Sequence, residues 1–317
     1  MNELARRLAL MADSLSQQFN FEFIVVENGS VDDTFARLVA IHHRDNRFKV
    51  LQLFRNFGIE GAVTAGLRHA NGAAAIVMCA DLQDPPELIP MMLQRWREGY
   101  ENVYTVIRNR SGEGPVRRAL TRVFYWLANR INEQPVPPNA SDFRLVDRSV
   151  YVIMNQFNEK TRLLRTLWSW IGAKSIGVEY DRPPRHGGKS TYGLWRALVF
   201  AGRGLMGSST TPLKVIPFFG IALSAFSFVL LIAFAIRWYV GGVPFNGFGT
   251  ILAIMLLLFG LLFLLLGMLS EYVGLIFEEV RNRPVFLEKA RIGLTEKTDA
   301  QRGNIYVDAS PVIEANR

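Results

Sequence analysis

A single cysteine, Cys79, stands in the whole chain of 317 residues, so no disulfide can form within it. That scarcity fits a reducing compartment. Zinc-finger spacing, basic-leucine heptads and the aromatic motif of RNA-recognition modules are also missing, which argues against a nucleic-acid partner despite a net charge of +8. No signal peptide is visible. Met1–Phe19 reads instead as an amphipathic helix, with Leu4, Leu8, Leu10, Met11 and Leu15 set among charges. The stretch Tyr239–Gly249 lacks charge altogether, and it lies between two long apolar runs.

Half of the residues are hydrophobic and the mean hydropathy is +0.14. The surplus is concentrated after Thr211. Val215–Val240 and Thr250–Leu269 are nearly free of charge, and each exceeds or meets the roughly 20 helical residues that cross a ~30 Å hydrocarbon core. Both are apolar all round, unlike a core helix with one apolar stripe. Lys189, Arg196, Arg203 and Lys214 flank the pair on one side, and Arg281, Arg283, Lys289 and Arg291 on the other. The positive-inside rule then puts both termini in the cytoplasm, with a multi-pass arrangement in the inner (plasma) membrane. Arg237 would snorkel to the outer interface. Pro115–Ile131 and Tyr192–Met206 read as basic amphipathic helices that can lie on anionic lipid, although the first reads equally well as a core helix. With a membrane segment present, the basic balance points to lipid head groups or a phosphorylated substrate.

The part before residue 190 alternates strand and helix signals. Phe21–Glu27, Phe48–Phe54, Ala73–Cys79 and Asn102–Ile107 read as strands. Asp32-Asp33-Thr34 opens a helix, and Glu60–Ala70 and Leu88–Arg97 are helical. Alternation of this kind predicts a GT-A-like (Rossmann-like) α/β domain with a mostly parallel sheet. Ligands then gather beyond the carboxyl ends of the strands, here at Glu27–Asp32 and Asp81–Glu87. The second stretch sets two carboxylates and an amide on a loop stiffened by Pro85-Pro86. Those oxygen donors suit Mg²⁺ or Mn²⁺, although a lone pair of aspartates there also reads as a helix start.

Asp81–Glu87 (DLQDPPE), Ser141–Arg148 (SDFRLVDR), Arg55–Gly58 (RNFG), Thr64–Gly66 (TAG) and Glu271–Pro284 resemble the polyprenyl-phosphate glycosyltransferases of glycosyltransferase family 2. The resemblance runs over nearly the whole chain. It implies inverting transfer of a sugar from a nucleotide sugar, UDP-glucose by the bacterial branch it looks like, to a polyprenyl phosphate at the cytosolic leaflet. It implies a metal at Asp81 and Gln83, and Asp142 and Arg144 at the acceptor phosphate as the catalytic pair. The nucleotide would lie on Glu27, Asn28, Ser30, Asp32, Asn56 and Gly58. Phosphates would meet Arg108, Arg110, Arg185, Ser190 and Tyr192. The expected organisation is a catalytic domain over 1–190, an interfacial helix over 191–212, a two-helix transmembrane hairpin over 213–274 and a cytosolic tail over 275–317. Membrane lipid is a further partner. A homo-oligomer stays open, since no small-xxx-small motif decides it.

The chain departs from the family pattern in four places. The family opens with a strand ending in Pro-x-Tyr-Asn-Glu, whereas Met1 here falls in the helix after it, so a first strand is expected to be missing. The Asp-x-Asp metal motif reads Cys79-Ala80-Asp81, and a thiol is a poor ligand for a hard ion. An acidic pair before Gly-Ser reads Glu27-Asn28, and two lysine positions are Ile59 and Thr191. These departures keep a second reading open, a degenerate paralogue that binds lipid phosphate or a partner transferase without turnover. A processive polysaccharide synthase fits less well, because Gln94-Arg95-Trp96 lacks the Gln-x-x-Arg-Trp spacing.

Overall fold

The computed structural model describes residues 1–108, 122, 126, 129, 130, 135, 137–157, 159, 163–183, 211–241 and 247–294. Chain order begins α1 (Asn2–Ser14), β1 (Phe23–Glu27), α2 (Thr34–Arg44), β2 (Phe48–Leu53), α3 (Gly58–His69) and β3 (Ala74–Val77). A 3-10 turn at Pro86–Leu88 leads into α4 (Ile89–Arg97) and β4 (Asn102–Ile107). Then follow β5 (Ala140–Asp147), α5 (Arg148–Gln156), α6 (Leu164–Trp170) and β6 (Ser175–Tyr180). Two long helices, α7 (Thr211–Gly241) and α8 (Phe248–Val280), precede a last strand, β7 (Glu288–Ile292).

Local chemistry sets several of these boundaries. Leu4, Leu8 and Met11 recur at helical spacing and form the buried face of α1. Pro90 occupies the first turn of α4, where its missing N–H costs nothing. Asp147 ends β5 and caps α5, its Oδ1 accepting from the Ser149 N–H at 2.9 Å. Along β2, Phe48 and Val50 enter one core cluster while Leu51 and Leu53 enter another. That is the two-residue period of a strand covered on both faces.

The strands form two groups, ordered β1-β2-β7 and β3-β5-β4-β6. Pairings β1–β2 and β4–β6 are parallel, whereas β2–β7, β3–β5 and β4–β5 are antiparallel. The expected mostly parallel sheet is therefore mixed. The reversal has two sources: β5 inserts between β3 and β4 against their direction, and β7 returns along the outer edge of β2.

The inner edges of the two groups begin side by side, since the Asn71 N–H donates to Glu22 Oε1 at 2.9 Å. Among the described residues β1 pairs only with β2, and β3 only with β5. Helices α1, α2 and α4 cover one face of both groups through Leu8, Leu38, Met92 and their neighbours. On the other face, Leu67 of α3 joins Val150, Met154, Leu164 and Trp168 of α5 and α6. Yet the apolar residues of β1 and β3 stay only half-buried, in contrast to Val50 and Leu51 of β2 at 0% exposure.

The tail folds back onto the domain. Residues 281–287 carry the chain from α8 to β7, and Phe286 is buried against Leu51, Leu53 and Ala65. The Phe54 N–H donates to the Leu287 carbonyl at 3.0 Å, and His69 Nε2 lies 2.9 Å from Glu288 Oε1. The edge of β2 is thereby closed against stray pairing. Along α7 and α8, Phe218, Ile221, Phe228, Val229, Leu257 and Phe263 are exposed. A continuous exposed apolar surface of this kind marks a membrane or a partner. Within α8, Leu257–Val280 is long and apolar enough to cross a membrane by length and composition, the one stretch among the described residues that is. The interfacial helix expected at 191–212 lies outside the described residues except at its last two positions, as does most of Pro115–Ile131.

Candidate active site

The carboxyl ends of β1, β2 and β3 deliver three loops to one end of the sheet. The first two interlock. Asn28 Nδ2 donates to the Gly58 carbonyl at 2.9 Å, and Asn28 Oδ1 accepts from the Phe57 N–H at 2.9 Å. Asn56 Oδ1 accepts from the Gly58 N–H at 2.8 Å. Gly29 makes the contact possible. It has φ +72°, and a Cβ there would fall 2.4 Å from the Arg55 carbonyl carbon. Glu27 is buried and accepts from the Ser30 N–H, closing the turn from within. Asp32 turns back on the chain, its Oδ1 accepting from the Thr34 N–H at 3.1 Å, and these Thr34 hydrogen bonds hold its carboxyl below the ordinary value. Five of the six nucleotide candidates thus come together, and Asp32 sits at the adjoining helix start.

The third loop follows β3. Leu82 has φ +62°, a left-handed conformation that bulky residues rarely adopt and that functional loops tolerate. The turn brings the Gln83 N–H to Asp81 Oδ1 at 3.2 Å, while Gln83 Nε2 reaches the Pro183 carbonyl at 3.5 Å. Asp84 points the other way, into the protein. Its Oδ2 accepts from the Cys79 N–H at 2.9 Å, Tyr180 donates to Oδ1 at 3.3 Å, and Arg182 lies 3.8 Å away. Burial pushes its carboxyl above the ordinary range, with the Asp81 charge adding, against the pull of the Cys79 N–H and Arg182. Cys79 is pushed up to about 12 by burial and by the Asp84, Asp81 and Asp142 carboxylates. It remains a neutral thiol.

Register connects this loop to β5. Val77 pairs with Arg144 at the end of the ladder, and just beyond it Cys79 lies close enough to feel the Asp142 charge. Asp142 is held by Arg165 of α6 in a two-pronged bond, Nε to Oδ1 at 2.9 Å and Nη2 to Oδ2 at 2.8 Å. Burial pushes the Asp142 carboxyl up, but Arg165, with Arg144 and Arg182 behind it, outweighs that and holds it below its ordinary value. Arg144 is buried, gives Nη2 to the Ser141 carbonyl at 3.1 Å, and lies 5.2 Å from the Trp168 ring centre. Glu60, in the first turn of α3, is pushed up by burial and by the Asp142 charge, with Arg165 opposing.

Arg108 forms an exposed pair with Glu179 at 3.3 Å, worth little in water. Arg110, Arg185, Ser190 and Tyr192 lie outside the described residues. Three groups of this site escaped sequence reading, namely Glu60, Arg165 and Arg182, while Asp84, offered there as an oxygen donor on the loop, turns inward instead. Arg165 left one signal, a lone arginine among Leu163, Leu164, Leu167 and Trp168, where a cation calls for a carboxylate partner.

No group of three His, Cys, Asp or Glu side chains converges on a metal position among the described residues. The donors on the β3 loop are one carboxylate and one side-chain amide. That set fits an ion bound through one or two protein oxygens, substrate phosphates and water, as Mg²⁺ commonly is.

A mixed sheet wrapped by helices, with the DLQDPPE loop after β3 and an arginine-held aspartate on β5, fits a Rossmann-like α/β fold of the GT-A kind. The chain belongs to glycosyl transferase family 2, whose model matches residues 1–153. It is 37% identical over 277 residues to an uncharacterized glycosyltransferase of Synechocystis sp., covering 87% of each chain. It is 35% identical over 298 residues to the uncharacterized glycosyltransferase YkcC of Bacillus subtilis, covering 94% of this chain and 91% of that one. The bactoprenol glucosyl transferase of Shigella phage SfII is 34% identical over 271 residues, 86% of this chain and 88% of its own. The protein is a glycosyltransferase.

Proposed function

We propose that this enzyme transfers glucose from UDP-glucose to the phosphate of a polyprenyl lipid at the cytosolic face of the plasma membrane, with inversion at the anomeric carbon. The observation that carries the reading is the meeting of two chemistries at one sheet end, the Asp81–Gln83 oxygen donors and the Asp142–Arg165–Arg144 cluster. The relatives that name an acceptor and a sugar support the choice of both. Exposed apolar surface on α7 and α8 supports membrane association, and the basic residues that flank the two helices favour cytoplasmic termini.

In this reading an acceptor phosphate oxygen bonds to the anomeric carbon as the bond to the diphosphate breaks, and the electron pair leaves with the diphosphate. A divalent ion held by Asp81 and Gln83 would neutralise that leaving group. The acceptor is already anionic, so positioning and charge neutralisation supply most of the rate. Arg144 offsets charge on the acceptor, and Asp142 orients it. Asn28, Asn56 and Gly58 set the backbone cradle for the nucleotide, and Arg108, Arg110, Arg185, Ser190 and Tyr192 gather phosphates.

The test mixes purified protein with UDP-glucose or GDP-mannose, Mg²⁺ or Mn²⁺, and undecaprenyl phosphate. Lipid-linked glucose from UDP-glucose that vanishes in Asp81→Ala is the expected result. Absence of product from either donor, with lipid phosphate still bound, would overturn it in favour of a binding protein without turnover.

A further inference from the structure

We infer that Arg165 is a positioning residue for the transfer reaction, fixing the orientation of Asp142 through its two-pronged bond; the inference rests on the function proposed above. Both carboxylate oxygens are taken by one planar group, so the bond fixes the rotation of the carboxylate as well as its place. The group is carried on a firm support. Leu164, Leu167 and Trp168 bury α6 against Val146 of β5 and Val150 and Met154 of α5. Positions 165 and 168 share one face of this short helix. One holds Asp142 while the other stacks near Arg144, so α6 sets both candidate catalytic side chains of β5.

Two further observations separate this role from a simple tie between helix and strand. The Asp142 side chain remains 30% exposed, so the bond orients it without sealing it from a ligand. Arg165 also borders a cavity of about 220 Å³, lined with Tyr104, Pro137, Arg144 and Ser169. The cavity leaves room for a shorter side chain at position 165.

Among the described residues the charged and titratable groups near Asp142 are Arg165 of α6, Arg144 of β5, Arg182 after β6, Glu60 of α3 and the Cys79 thiol after β3. Burial alone would raise the carboxyl, and the Arg165 fork is the largest opposing influence. Losing the fork therefore frees Asp142 to rotate and lets its ionisation move to higher pH.

The experiment compares wild type, Arg165→Gln and Arg165→Lys in lipid nanodiscs, with melting curves to match folded amounts. For Arg165→Gln we expect kcat to fall roughly 10- to 100-fold with KM for the nucleotide sugar within about 3-fold. The acid limb of the pH–rate profile should move up by about one unit, and Arg165→Lys should restore that limb but only part of kcat. A folded Arg165→Gln protein with unchanged kcat and acid limb would overturn the inference. Carbon-13 NMR of the Asp142 carboxyl gives a readout that needs no turnover. A wild type that makes no product defeats the proposed function, whereas a wild type that makes product while the Asp142 midpoint stays in place in Arg165→Gln overturns the role of Arg165 alone. Should Arg165→Gln not fold, the same NMR titration on the neutral variant Arg165→Met decides the matter.

Discussion

Asp142 and Asp84 stand at the same end of the sheet, each drawn away from water, and their ionisation goes in opposite directions. Asp84 is sealed at 1% exposure, bound by a backbone N–H and a tyrosine hydroxyl, with Arg182 at 3.8 Å. Burial wins there, and the carboxyl rises above its ordinary range. Asp142 feels the same pressure, but a guanidinium meets both of its oxygens and the carboxyl falls. The difference teaches how one residue type serves two ends. A buried carboxylate with mostly neutral partners braces a loop, whereas one forked by arginine and left open on a side stays charged and can meet a ligand.

Asp81 is the residue through which the braced loop would act on substrate, so its loss should rank with that of Asp142 as the largest effect. Asp81→Ala is expected to cut product formation about 100-fold and to raise the Mn²⁺ concentration needed for half-maximal rate. An unchanged metal response would leave the loop with structure alone. Next in size is Asp84→Asn. The fold favours the protonated form of Asp84, so its contribution is fully present below pH 3.8 and is lost as pH rises through its higher folded value. At neutral pH that contribution is gone or reduced, and the carboxyl costs stability relative to a neutral group. The neutral amide can still accept from the Cys79 N–H and can donate to Tyr180, so denaturant melts at pH 7 should show equal or higher stability, by about 1 kcal/mol at most.

The sequence displayed the loop more plainly than its partner. DLQDPPE places Asp81 and Gln83 on a proline-stiffened turn after an apolar strand, and both lie there. Strands β1 to β4 fall within the predicted runs because their apolar residues are contiguous. The acceptor side was half legible. SDFRLVDR marked Asp142 and Arg144, but the fork comes from a helix 23 residues downstream, and no periodicity reports an arginine's partner across that distance. Strand β7 was hidden for a similar reason. Glu288–Ile292 mixes three charged residues with Ala290 and Ile292 like an ordinary surface tail, and only pairing with β2 makes it a strand.

Two smaller tests sharpen the contrast. Asp142 has a folded value below its unfolded 3.8, so the stability it supplies is present above 3.8 and is lost as pH falls through the folded value. Melting temperature should therefore drop less steeply between pH 4 and pH 2 in Asp142→Asn than in wild type, by a few degrees (~) at the acid end. Cys79 should give the smallest effect. A thiol held up to about 12 brings no charge to the site, and Cys79→Ser should keep activity within about 2-fold. A large loss would assign the thiol a part in catalysis.

The most direct test of the account sets Asp142→Asn beside Asp84→Asn, with equal folded amounts in the same lipid nanodiscs and with UDP-glucose and undecaprenyl phosphate as substrates. The account predicts that Asp142→Asn loses about 100-fold or more in transfer rate, while Asp84→Asn stays within about 3-fold of wild type. Equal losses in the two, or the larger loss in Asp84→Asn, would contradict it.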